Sequence, residues 1–317
     1  GAFNNKKGLK SALRSAGLPV IGEYSYDAVV SRRFSKYPVF VKPVDNNSSK
    51  GMHVVHSAME FGDAYDDAMQ NSRSGVVLIE DVKKCDDINV GYLIENGNVS
   101  VTFTADRYVN DRQPGVGSIT DGMVYPSKHS KLYFESVHQK MLNLFELLGF
   151  ENGIMSIQAF VDGDDIMFYD PALRITGGQE YILSKHFYHV DILEALVRFA
   201  LTGEMSNEGL TKQCDETFGG RCACNLAFSV RAGVIGRIDG IEEARSAPYV
   251  LNVTQEHFPG DRIDRIGTAQ QNIARLHLVA DGRQELSERI ERLQSTIRAF
   301  DEDGSNMMLE GMDPHAI

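Results

Sequence analysis

The apolar pattern of the chain predicts an α+β protein, and three observations carry that prediction. Strand-like runs come in pairs joined by tight turns, over residues 88–105 around Asn96-Gly97 and over residues 154–172 around Asp162-Gly163-Asp164. Apolar residues at helical spacing recur in separate stretches, at Val137, Met141, Leu144 and Leu148 and again over residues 190–202. A length of 317 residues, 42 % of them hydrophobic, suffices for two domains or one large multi-layered body.

Residues 4–17, NNKKGLKSALRSAG, read as a helix that an asparagine caps and that Gly17 and Pro19 stop, with Leu9, Ala12, Leu13 and Ala16 on one face. In YPVFVKPVDNNSSKGMHVV, residues 37–55, two β-branched runs flank a polar loop. Ser57-Ala-Met-Glu60 has the capping-box pattern and heads a helix through about Met69. VVLIED, residues 76–81, is a strand, followed by the first hairpin. The helix over 131–148 ends at Gly149, the second hairpin leads into the glycine-bearing loop ALRITGGQ, and the helix over 190–202 ends at Gly203. His186 and His189 are expected at that helix's entry. Beyond Gly203 the texture turns polar, which places a subdomain boundary near 204. NLAFSVRAGVIGRIDG then alternates like strands, and Leu286, Ile290, Leu293 and Ile297 mark a late helix. The acidic tail from Asp301 either crosses back onto the body or frays.

Composition narrows the partners. Thirty-two basic against forty-four acidic residues give a net charge of -12, without the basic patch that a nucleic-acid backbone or an anionic membrane surface requires. The most apolar helical stretch, DILEALVRFALTG, is short and carries Glu194 and Arg198, below the roughly 20 apolar residues of a membrane span. No signal-peptide pattern is found, and a cytoplasmic protein is expected. Cys85, Cys214, Cys222 and Cys224 lack zinc-ligand spacing and read as free thiols.

The chemistry begins at Lys42. A lysine inside an apolar strand costs several kcal/mol if its ammonium is dry and unpaired, so it needs an anion or a wet cleft at its tip. The loop after it, Asp45-Asn-Asn-Ser-Ser-Lys50-Gly51, offers hydroxyls, amides, a second cation and a glycine, a set that can wrap phosphate oxygens. It lacks G-x-x-x-x-G-K-[ST] and leads into a strand. An exposed hairpin loop with a snorkelling lysine is the alternative.

An ordered set of motifs surrounds that loop: Lys6 ahead of Ala16-Gly-Leu-Pro19, Lys42 in YPVFVK, Ser49-Lys50-Gly51 before MHVV, Glu80 closing VVLIE, and Arg174 in YDPALR before Thr-Gly-Gly. Over roughly residues 4–203 this set resembles the ATP-grasp superfamily, nearest to carboxylate-amine ligases and relatives of the carbamoyl-phosphate synthase large subunit. The resemblance implies two α+β lobes enclosing a nucleotide cleft, plus a β-rich C-terminal subdomain. It divides the chain into a linker helix (1–20), a small lobe with a phosphate flap (21–82), a large lobe with the metal and phosphate site (83–203) and the C-terminal subdomain (204–317).

The same resemblance implies the site. Lys6 and Lys42 would meet ATP phosphates under a flap formed by Ser48, Ser49, Lys50 and Gly51. Glu80 would take the adenine amino group, the backbone of Asp81 and Val82 would read the adenine edge, and Asp87 would hold the ribose hydroxyls. Mg2+ or Mn2+ would fall to Asp170 and Gln158, where relatives supply two glutamates and an asparagine; Gln158, Asp170 and Ala172 all depart from that pattern. Arg174, with Lys50, would serve the transferring phosphoryl group, and Gly177 and Gly178 would let amides approach the same anion. Arg231, in a C-terminal region that resembles amino-acid ligases, would bind a substrate carboxylate.

The implied activity is ATP-dependent joining of a small-molecule carboxylate to an amine through an acyl phosphate. Two alternatives stay open: a nucleotide-binding sensor or scaffold with a degenerate metal site, and a split kinase acting on bicarbonate or carbamate. Family members carry a preceding βαβ lobe, so a trimmed chain, a split gene, a partner protein or a second copy of this chain is expected to account for it.

Overall fold

A computed structural model describes residues 6–45, 51–110 and 119–317. The chain opens on α1 (Lys6–Ser15), then α2 (Tyr26–Val30), β1 (Val39–Pro43), β2 (His53–Val55), α3 (Ala58–Gln70) and β3 (Val77–Asp81). Strand β1 is central in a small antiparallel sheet ordered β2-β1-β3. Its alternation answers the question posed by Lys42. Val39 and Val41 join Val55, Ile79 and, from α3, Phe61, Ala64 and Ala68 in one apolar cluster. A period of two turns Lys42 the other way, and its partner strand turns Glu80 with it. The predicted cap of α3 is half formed. Ser57 Oγ donates to Glu60 Oε1 at 3.0 Å, and Glu60 reaches back to the N–H of His56 at 2.9 Å.

The first predicted hairpin is β4 (Asp86–Glu95) and β5 (Asn98–Asn110), turning at Asn96 (φ 50°) and Gly97 (φ 76°). Strand β6 (Ile119–Tyr125), which the sequence pattern did not announce, pairs with β5. The helix expected over 131–148 is α4 (Ser130–Tyr133) and α5 (Gln139–Leu148) joined through a π-helical turn at Phe134–His138. Buried Tyr133 sits at the entry of that turn, 2.5 Å from the hydroxyl of Tyr92 on β4. The second hairpin is β7 (Gly153–Asp162) and β8 (Asp165–Ala172). Two helices follow, α6 (Tyr181–Tyr188) and α7 (Ile192–Thr202). Here the histidine expectation is corrected: His186 lies in the last turn of α6 and His189 is its left-handed C-cap (φ 63°), while Asp191 caps α7 by accepting from the Glu194 N–H.

The remaining elements are β9 (Cys222–Ser229), β10 (Gly233–Asp239), α8 (Ile241–Ser246), β11 (Val250–Gln255), β12 (Arg262–Ile263), β13 (Asn272–Ala280), α9 (Arg283–Thr296) and β14 (Arg298–Asp301). Strands β10, β12 and β14 form a second small sheet, and the tail past Asp301 crosses back, burying Met307 and Met312. The main sheet has eight strands in the order β11-β13-β9-β6-β5-β4-β7-β8. It runs without a break across residue 204, because β6 pairs with β9 through Gly122–Leu226 to Tyr125–Ala223. The residues beyond 204 therefore extend the large lobe's own sheet as well as building the β10-β12-β14 layer.

A short segment stitches the two lobes. The Phe168 N–H donates to Pro19 O and the Ile21 N–H to Phe168 O, which fastens residues 19–21 to the β8 edge of the main sheet. Immediately afterwards Asp81 N–H donates to Gly22 O at 3.0 Å and Tyr24 N–H to Ile79 O at 2.9 Å, on the β3 edge of the small sheet. A side chain at residue 22 would meet the end of the Asp81 carboxylate, which would have to move, so glycine gives this approach room. Residues 19–24 thus hold the edges of the two sheets next to each other.

Candidate functional site

At the small-lobe wall, three charges share one buried spot. Glu80 is 1 % exposed, Lys42 4 % and Lys10 0 %. Lys42 Nζ stands 2.8 Å from Glu80 Oε2, Lys10 pairs with Oε1 of the same carboxylate, and Glu23 lies 3.3 Å from Lys10 with Arg14 on its far oxygen at 2.8 Å. Burial, opposed by Glu80 and reinforced by the neighbouring Lys42, lowers the Lys10 pKa. Lys10, and not the expected Lys6, is the described lysine beside Lys42. Lys6 begins α1, and its side chain lies outside the described residues, as do Ser48, Ser49 and Lys50. Gly51 is described, in left-handed backbone (φ 67°) packed against Asn71 and Ala68 of α3.

Two expectations for the adenine region change. Glu80 is held by two ammonium groups and is not open to an incoming base. The Asp81 N–H, expected to read the adenine edge, is spent on Gly22 O, and the Asp81 carboxylate accepts from Tyr24. Val82 is the first residue past β3 and is half-buried.

The large-lobe wall faces Lys42 through Tyr169, whose ring centroid is 5.9 Å from Lys42 Nζ. Tyr169 owes its position to a bulge: Gln158 is opposite Asp170, yet the next residue, Ala159, is opposite Phe168, leaving Tyr169 as the extra residue of β8. Its ring stacks on Phe160 at 4.3 Å, and its hydroxyl donates to Asp87 at 2.9 Å. Asp87, expected on the ribose, is instead committed to Tyr169 and to the guanidinium of Arg107, its cross-strand neighbour on β5. Burial pushes the Asp87 carboxyl up to about 6 despite the opposing pull of Arg107. Arg107 also donates to Thr120 Oγ1 at 3.0 Å. The two residues expected to hold a metal, Gln158 and Asp170, are direct cross-strand partners. They offer one carboxylate and one amide oxygen, which suits a single hard cation completed by phosphates and water. Among the described residues no three His, Cys, Asp or Glu side chains gather into a metal cluster.

Arg174 is exposed past the end of β8 and donates to Ile175 O at 2.8 Å, beside Thr176 and the two glycines. The C-terminal strands fix that loop. Gly178 O accepts from Asn225 Nδ2 at 2.6 Å and from His277 Nε2 at 2.9 Å, and Glu180 beneath it accepts from Thr176. Burial drives Glu180 up to about 7 and His277 down to about 4. Arg231 pairs with Asp301 at 2.5 Å.

Lys10, Arg107 and Tyr169 were not singled out from the sequence. Lys10 carried a usable signal, a charge three residues before buried Leu13 on the apolar side of its helix. The role of Tyr169 depends on a one-residue bulge that no alternation pattern reveals.

With this geometry the chain has an ATP-grasp fold. Residues 24–121 match the family model "D-ala D-ala ligase C-terminus", and residues 226–300 match "L-amino acid ligase C-terminal domain 2". Both matches support the ATP-grasp superfamily. Its structure is similar to that of an L-amino acid ligase from Bacillus licheniformis (TM-score 0.75, 18 % identity, covering 94 % of this chain and 72 % of that one). It is also similar to a biotin carboxylase from Campylobacter jejuni (TM-score 0.67, 17 % identity, 95 % and 67 %). In sequence it is 29 % identical over 180 residues to a formate-dependent phosphoribosylglycinamide formyltransferase of Salmonella paratyphi B. That match takes in 54 % of this chain and 44 % of the relative's length. No helix among the described residues is long and apolar enough to cross a membrane.

Proposed function

We propose that the chain is the nucleotide-binding part of an ATP-dependent ligase that joins a small-molecule carboxylate to an amine through an acyl phosphate, releasing ADP and phosphate. The observation that carries this reading is the convergence of Lys42 and Glu80 on one lobe with Tyr169, Asp87 and Arg107 on the other, with Lys10 reaching Glu80 from α1, which packs on the large lobe, where residues 19–24 join the two. Two ammonium groups at that gap favour the phosphates of ATP, with Glu80 as the anion they hold in their absence. Lys6, Ser48, Ser49, Lys50 and Gly51 complete the phosphate side. Val82 and the strand end beside it border the base, and Asp87 lies at the ribose side. Asp170 and Gln158 would hold Mg2+ or Mn2+. That ion would neutralise phosphate charge when bound.

Arg174, exposed beside Gly177 and Gly178, orients the carboxylate and the transferring phosphoryl group. The Asn225 and His277 contacts to Gly178 O keep that loop in one shape, with the organising already done before substrate arrives. The formyltransferase named above is formate-dependent, and formate is a carboxylate; the L-amino acid ligase is its counterpart among solved structures.

The test is ADP release measured with carboxylates and amines singly and in pairs. Steady turnover that requires both supports the ligase. A nucleotide sensor is the second reading, favoured by Gln158 and Ala172 at the metal position and by Asp87 being already paired. Nucleotide binding without turnover across a broad panel would select it.

A further inference from the structure

Resting on the nucleotide site proposed above, we infer that the Arg107 guanidinium is that site's resident cation, so that a bound nucleotide brings one divalent ion and not two. Three features carry this. The register sets Arg107 directly across from Asp87, and the pair is enclosed, with the arginine side chain 14 % exposed and the aspartate 11 %. The guanidinium is immobilised by three different acceptors: the Asp87 carboxylate, the Tyr169 hydroxyl at 2.5 Å and Thr120 Oγ1 at 3.0 Å. Tyr169 reaches it only because of the bulge in β8 and is itself clamped on Phe160.

The charge count agrees. Asp170 is near enough that its field acts on both Asp87 and Arg107. Two carboxylates against one fixed guanidinium leave a single negative charge, and Gln158, opposite Asp170, adds none. One dication shared with a triphosphate suits that balance. A second would face a buried guanidinium that cannot lose its proton and, held by three acceptors, has no alternative place. Arginine here holds the carboxylates in position and supplies positive charge to the cleft.

Bound Mn2+ counted by electron paramagnetic resonance, with the full chain and a non-hydrolysable ATP analogue, tests this. One Mn2+ per chain is expected in the wild type and in Arg107→Lys, which keeps the charge. Arg107→Gln, where it folds, is expected to admit a second Mn2+ or to bind the first at least tenfold more tightly. Two Mn2+ per wild-type chain with the analogue bound overturns the inference and leaves the nucleotide reading standing. Failure of the analogue to bind at all, by calorimetry, overturns both. The wild-type count decides even if Arg107→Gln does not fold.

Discussion

Replacing Glu80 by glutamine is the sharpest perturbation of the small-lobe wall. The carboxylate is 1 % exposed and neutralises two ammonium groups that are 0 % and 4 % exposed. Glutamine keeps the shape and removes the charge, leaving, among the described residues, Lys10 with Glu23 at 3.3 Å and Lys42 over the rings of Phe40 and Tyr169. Breaking a buried pair from one side costs about 3–5 kcal/mol, because the remaining charge has lost both water and partner. Lys10, whose proton affinity burial already lowers, relieves part of that cost by deprotonating, so the loss is expected to grow as the pH falls. Urea denaturation of Glu80→Gln against wild type reads the difference, and Glu60→Gln, at an exposed helix start, should change stability by under about 1 kcal/mol. A non-hydrolysable ATP analogue should recover more stability in Glu80→Gln than in wild type, since phosphate supplies the missing anion. A loss below about 1 kcal/mol for Glu80→Gln would refute the argument that this carboxylate is what keeps the two lysines charged and in place.

Three further outcomes follow from the same geometry. Lys42→Ala should weaken nucleotide affinity at least tenfold, about 1.4 kcal/mol, the usual loss for a charge-assisted contact; unchanged affinity by calorimetry would count against a phosphate role. Arg174→Ala should leave ATP affinity within about twofold while removing turnover, because the side chain is exposed and makes only a local contact to Ile175 O; a parallel loss of affinity would move it to the ground-state nucleotide site. Glu180 is buried with its pKa raised from 4.5 to about 7, so the native state holds its proton more tightly than the unfolded chain does. Its contribution to stability is therefore fully present below about pH 4.5 and lost as pH rises through 7, by an upper limit of about 3 kcal/mol. Thermal melts of Glu180→Gln should lack the decline that wild type shows between pH 5 and 8; equal slopes would show that Glu180 is not the titrating group.

Much of the fold was legible because period and punctuation agreed. Asn96-Gly97 fixed one hairpin, Gly149 and Gly203 ended helices where they were expected to, and Leu286, Ile290 and Leu293 are buried along α9 as their spacing required. Strand β6 was hidden because Asp121 interrupts its apolar run and one of its two neighbours, β9, is distant in sequence. The helix α6, YILSKHFY, is eight residues long and carries polar and aromatic residues side by side, too little to show a period. At the site, Lys42 could be read as a misplaced charge needing an anion, and that anion proved to be Glu80 on the neighbouring strand β3, on the same face as Leu78, the residue opposite Lys42. The pairing of Asp87 with Arg107 follows from cross-strand register, and the placement of Tyr169 from a bulge; neither is written in local sequence.

The central claim is that basic side chains distant along the chain serve one triphosphate between two lobes. A crystal structure with a non-hydrolysable ATP analogue and Mg2+ tests it most directly. The account predicts phosphates within hydrogen-bond reach of Lys42 Nζ, on the side of the cleft that faces Tyr169 and Asp170. A nucleotide seated elsewhere, with the Lys42–Glu80 pair untouched and the cleft between residues 19–24 and Tyr169 vacant, would contradict it.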